Sequence, residues 1–197
     1  MQVKTSSGFS ILLSQGLFLA FLPIWFMLFS YLHPVVIIVV WATLTALVFF
    51  LVYSFHQETI NVPASVLTWA MGFYTATLLV LLFFRPSNQS YGEVNVIPLH
   101  TIRFFLSGEA DAFVAFYNIA ANVVLFIPYG VFWLFVSAPS PLQKIVIPLA
   151  VITCIETVQF MTRRGSLDID DLLLNTIGVC LGYVLYPFVQ RVLRVSR

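Results

Sequence analysis

The chain has 197 residues, of which 60% are hydrophobic and only 9% charged, whereas a soluble domain carries about 45–50% apolar and about 25% charged residues. So much apolar surface exceeds what one small core can hide, which excludes a soluble globular domain and makes lipid the natural solvent. A net charge of +1 gives no basis for nucleic-acid binding.

A bilayer core is roughly 30 Å thick and is crossed by about 20 apolar residues in a helix. Backbone groups in lipid must be satisfied internally, which leaves helices or a closed barrel. The apolar runs here are continuous rather than alternating. The expected fold is therefore all-α, a polytopic membrane helix bundle of about six transmembrane helices in a single domain over residues 1–197.

Run one extends from about Ser10 to Tyr31 and reads as a retained span rather than a signal peptide, because Pro23 and Trp25 stand where small residues would be needed for cleavage. His33-Pro34 breaks it, and run two covers about Val35 to Phe55. The polar stretch His56 to Asn61 separates run two from run three, about Ala64 to Phe84, which Arg85-Pro86-Ser87-Asn88 closes. A mixed segment, Gln89 to Asp111, holds Glu93, Asn95, Pro98, His100, Arg103 and Glu109. Its apolar part, Ile97 to Leu106, suits a stretch that lies along the membrane interface or re-enters the protein. Run four covers about Ala112 to Val136, run five about Ile145 to Met161 and run six about Asp170 to Gln190. Cys154 and Cys180 fall inside apolar runs and read as inert packing residues. No cofactor is expected.

Six spans would put both termini on one side, with Lys4, Lys144, Arg191, Arg194 and Arg197. The other side would collect Arg85, Arg103, Arg163 and Arg164. The positive-inside bias then favours cytoplasmic termini and places the Arg163–Asp170 loop outside.

Polar residues concentrate in the second half. Asn118 and Asn122 are one helical step of four apart. Glu156, Gln159 and Arg163 form one stripe on run five, and Asp171, Asn175, Gly178 and Gly182 form another on run six. Antiparallel neighbours joined by a short loop would bring Glu156 and Asn175 to similar depth. Much of this has a structural reading. Asp170 and Asp171 suit a helix start, Arg163 and Arg164 a helix end, and Gly178-xxx-Gly182 close helix packing. Glu156 fits that reading least, because a buried carboxylate is costly unless paired or protonated. Arg163 or Arg103 is the expected counter-ion. The Asp168-Ile169-Asp170-Asp171 cluster also admits a divalent cation, although its spacing lacks the glycine of a calcium loop. His33, His56 and His100 are isolated, and no nucleophile or phosphate-loop motif is present.

Three blocks resemble the VanZ-like family of bacterial membrane proteins. They are Asn95-Val96-Ile97-Pro98-Leu99, with Leu99 where the family has an aromatic, then Asn118-x-x-x-Asn122 continuing to Phe126-Ile127-Pro128-Tyr129-Gly130, and finally Glu156-x-x-Gln159 with Arg163/Arg164, Asp168-Ile169-Asp170-Asp171, Asn175, Gly178 and Gly182. The likeness is strongest over residues 95–186. It implies a multi-pass cell-membrane protein linked to glycopeptide resistance of the teicoplanin type, without supplying a mechanism. Two site readings stay open beside a third, a structural membrane partner or small transporter. In the first, Asn118, Asn122, Gln159, Arg164, Asp168, Asp170 and Asn175 bind an amphiphilic glycopeptide whose tail lies among membrane lipid. In the second, Glu156, Arg163 and Asp171 act on a lipid-linked or cell-wall precursor, with Glu156 as acid or base.

Overall fold

The computed structural model describes residues 2–29, 35–83, 94–108 and 111–196. The expected break at His33-Pro34, the Arg85–Asn88 loop, Glu93 and Glu109 lie outside the described residues. In chain order the elements are α1 (Gln2–Ala20), α2 (Leu22–Phe29), α3 (Val35–Phe55), β1 (Ile60–Pro63), α4 (Ala64–Phe83), β2 (Val94–Asn95), α5 (His100–Leu106), α6 (Ala112–Val124), α7 (Ile127–Val136), α8 (Gln143–Met161), β3 (Leu167–Asp168), α9 (Ile169–Val192) and β4 (Leu193–Ser196). Among the described residues, five stretches are long and apolar enough to cross a membrane: Ile37–Phe55, Ala64–Phe83, Val114–Val136, Gln143–Met161 and Ile169–Val192. The protein is an all-α, multi-pass membrane protein.

Prolines account for the two places where an expected single helix is divided. Pro23 has no N–H to give the Leu19 carbonyl, and run one becomes α1 and α2 with a turn at Phe21. Pro128 does the same to the Val124 carbonyl, so run four becomes α6 and α7 about the turn Leu125-Phe126. Pro148 inside α8 frees the Lys144 carbonyl. The Tyr183 hydroxyl of α9 donates to that carbonyl at 3.1 Å. Cys154 and Cys180 are exposed on their helices rather than packed inside, so the packing role expected of them is not what the fold shows.

The chain forms two compact units. In the first, Met1–Pro86 with Phe188–Arg197, Ser6, Ser10 and Ser14 are buried at four-residue spacing on α1. Small side chains at that spacing let two helices approach closely, here α1 and α3. Ser10 and Ser14 satisfy their hydroxyls on the carbonyls of Ser6 and Ile11. Ser7 and Tyr53 share a hydrogen bond of 2.6 Å, and Trp41 Nε1 donates to Gln15 Oε1 at 2.7 Å. β1 and β4 pair in parallel from Ile60↔Leu193 to Pro63↔Ser196.

In the second unit, Ser87–Pro187, three glycines bring α7 and the turn before it against α9. A Cβ on Gly182 would lie 2.8 Å from the Gly130 Cα, and one on Gly178 would lie 3.0 Å from the Phe126 Cβ. No larger residue fits at this crossing without moving a backbone. Ile152, Leu174 and Val179 are buried in the same unit. A short parallel pair, Val94↔Leu167 and Asn95↔Asp168, joins the segment before α5 to the start of α9.

Candidate functional site

Asp168 and Asp170 enter the second unit as anchors for a distant stretch of chain. Asp170 has no solvent exposure. Its Oδ1 accepts the Leu99 N–H at 2.5 Å, and its Oδ2 accepts those of Thr101 at 2.8 Å and Ile102 at 3.1 Å. These are free amides at the start of α5, where a carboxylate is favoured by the unpaired donors and the helix dipole. Leu99 adopts a left-handed φ of 65° that turns the backbone there. Asp168 Oδ2 accepts the Thr101 hydroxyl at 2.6 Å. Its Oδ1 accepts the Asn95 amide at 3.1 Å and the Asp170 N–H at 2.9 Å. Asn95 Oδ1 in turn takes the Ile97 N–H at 3.1 Å.

Asp171 and Asn175 lie one turn apart on α9 and face α6 and α8. Asn122 Nδ2 donates to Asp171 Oδ1 at 2.5 Å. Asn175 Nδ2 donates to Glu156 Oε1 at 3.5 Å. Glu156 is 6% exposed and Asn175 is 3% exposed. Asn175 Oδ1 is buried with no hydrogen-bond partner among the described residues. Gln159, one turn beyond Glu156, is also buried. Polar groups thus link α9 to α6 through Asp171 and Asn122, and to α8 through Asn175 and Glu156. The near-equal depth expected of Glu156 and Asn175 is the geometry found.

Other residues singled out in the sequence have contacts within their own helix or at its end. Asn118 donates to the Val114 carbonyl of its own helix at 2.8 Å. Arg163 is exposed, with a left-handed φ of 55°. Its N–H reaches the Phe160 carbonyl at 3.0 Å, and the Arg164 N–H reaches the Gln159 carbonyl at 2.8 Å. That pair of bonds is a Schellman ending, and Arg163 occupies the position glycine usually takes. Arg164 is exposed as well. The Asn175 amide of the neighbouring helix supplies one contact of Glu156.

Thr101, with the backbone amides of Leu99 and Ile102, was not foreseen as part of this arrangement. These groups contact acids about 70 positions later in the chain, and only the Asn95 block of the family resemblance pointed to their neighbourhood. Among the described residues, no group of three or more His, Cys, Asp or Glu side chains is placed to hold a metal ion.

The chemistry on offer is thus divided. Asp168 and Asp170 each accept three donors of the protein itself, whereas the Glu156–Asn175 contact retains an amide oxygen able to accept a further hydrogen bond. A family model described as VanZ/LLP1 matches residues 71–190. That match takes in every polar residue named in this site. Comparisons with curated proteins and with solved structures found no match.

Proposed function

Because the chain belongs to the VanZ/LLP1 family, we propose that it is a resistance-type membrane protein that lowers the effect of an amphiphilic glycopeptide such as teicoplanin. The lipid tail of the glycopeptide lies between helices. Its polar head is held by the set formed by Asn122, Gln159, Asn175 and Asp171, with Arg163 and Arg164 at the loop end facing carboxylates. The observation that carries this reading is the buried Glu156–Asn175 contact with its open Asn175 acceptor, since a head rich in N–H and O–H donors supplies what that oxygen lacks. Cytoplasmic termini belong to the same reading, because they turn the Arg163–Asp170 loop towards an externally applied drug.

The test is expression in a sensitive bacterium, with teicoplanin and vancomycin inhibition compared at confirmed membrane abundance. The expected result is reduced inhibition by teicoplanin. Unchanged inhibition by both drugs rejects the reading.

A second reading is favoured by the position of Glu156, a carboxylate inside a membrane-crossing helix. Intramembrane ionisable groups generally serve function rather than packing. Here the protein modifies a lipid-linked or cell-wall precursor. Glu156 acts as acid or base, Asp171 orients the substrate through Asn122, and Arg163 or Arg164 holds a phosphate. Mass spectrometry of lipids and wall precursors, with and without the chain, separates the two. A changed species that disappears in Glu156→Gln supports the enzyme, and an unaltered profile removes it.

A further inference from the structure

The segment that Asp168 and Asp170 hold is itself unusual. Val96, Ile97, Leu99, Phe104 and Leu106 all expose their side chains, with Ile97 at 63% and Leu106 at 73%. Exposed apolar side chains so close together on a short irregular stretch are a liability in water. The backbone tells the same story. Every N–H from Ile97 to Arg103 has an acceptor within the protein: Asn95 Oδ1 for Ile97, Asp170 for Leu99, Thr101 and Ile102, the Ile97 carbonyl for His100, and the Leu99 carbonyl for Arg103. Pro98 has no N–H to satisfy. A loop in water needs no such provision, whereas backbone placed in lipid does. The anchor also sets the level. Asp170 is the second residue of α9, whose membrane-crossing stretch begins at Ile169. The segment is therefore held at one lipid–water boundary.

We infer that Ile97–Leu106 is an interfacial element seated in the acyl-chain boundary of the bilayer, its apolar side chains in contact with lipid and the exposed Arg103 reaching headgroup phosphate. This does not depend on the proposed function. Its test uses nitroxide labels at Ile97→Cys, Leu106→Cys and, as a loop control, Ser140→Cys. The background is Cys154→Ser/Cys180→Ser, reconstituted in phosphatidylcholine–phosphatidylglycerol vesicles. Collision with oxygen, which concentrates in lipid, is compared with collision with a water-soluble nickel chelate. The expected result is a severalfold higher oxygen-to-nickel ratio at 97 and 106 than at 140. A ratio equal to that at 140 overturns the inference. Labels shielded from both reagents also overturn it, because protein, such as a second copy, then covers the segment. The unaltered chain supplies an independent reading. Irradiation with a photoactivatable phosphatidylcholine is expected to give lipid adducts on the Ile97–Leu106 peptide, and adducts confined to the long helices count against the inference.

Discussion

A single carboxylate, that of Asp170, receives three backbone N–H groups and has no contact with solvent. Charge-assisted hydrogen bonds to a buried acid are strong, and breaking them leaves donors stranded. Asp170→Asn keeps the shape but turns one acceptor into a donor facing other donors. It is expected to lower stability by about 2–4 kcal/mol, read as a lower melting temperature in detergent. Arg163 makes the opposite case. Its left-handed backbone carries a cost that glycine does not. Arg163→Gly should therefore be more stable than Arg163→Ala by about 0.5–1 kcal/mol. Equal stabilities would mean that the Schellman ending of α8 is not what positions this residue.

At the scale of helices, the glycines of the second unit decide how near α9 comes to its neighbours. Gly182→Ala places a methyl group within contact of the Gly130 backbone and the Ile127 carbonyl. Overpacking of this kind costs about 1–3 kcal/mol. Gly72→Ala in α4 meets nothing within 4 Å and is the matched control. It should leave the melting temperature unchanged or slightly raised, and a loss equal to that of Gly182→Ala would contradict the packing described. The same crossing shows what a sequence can and cannot disclose. Helical periodicity and a short loop suffice to bring Glu156 and Asn175 together, because both lie on antiparallel neighbours a few turns from their connection. Periodicity also grouped Asn118 with Asn122, yet Asn118 bonds to its own helix. Facing the same way does not determine whether an amide prefers a neighbour or the carbonyl one turn back. The roles of Asp168 and Asp170 were the least legible. Their partners are backbone amides from an earlier segment, and backbone amides carry no residue-specific signal. Prolines told more than the apolar runs that contain them, since Pro23 and Pro128 mark where single spans divide.

At the scale of the molecule, the proposal requires the loop between α8 and α9 to face outward. In a Cys154→Ser/Cys180→Ser background, Ser166→Cys should react with a membrane-impermeant maleimide on intact cells. Labelling only after the cells are opened would reverse the orientation and remove access for an external glycopeptide. Beneath orientation and substrate lies the meeting of α8 and α9 through polar side chains inside the second unit, and a double-mutant cycle on Glu156→Ala and Asn175→Ala measures it most directly. If the two side chains touch, denaturant unfolding in detergent should show a coupling of about 0.5–3 kcal/mol. Losses that add to within about 0.3–0.5 kcal/mol would mean that Glu156 and Asn175 do not meet, and the site would have no centre.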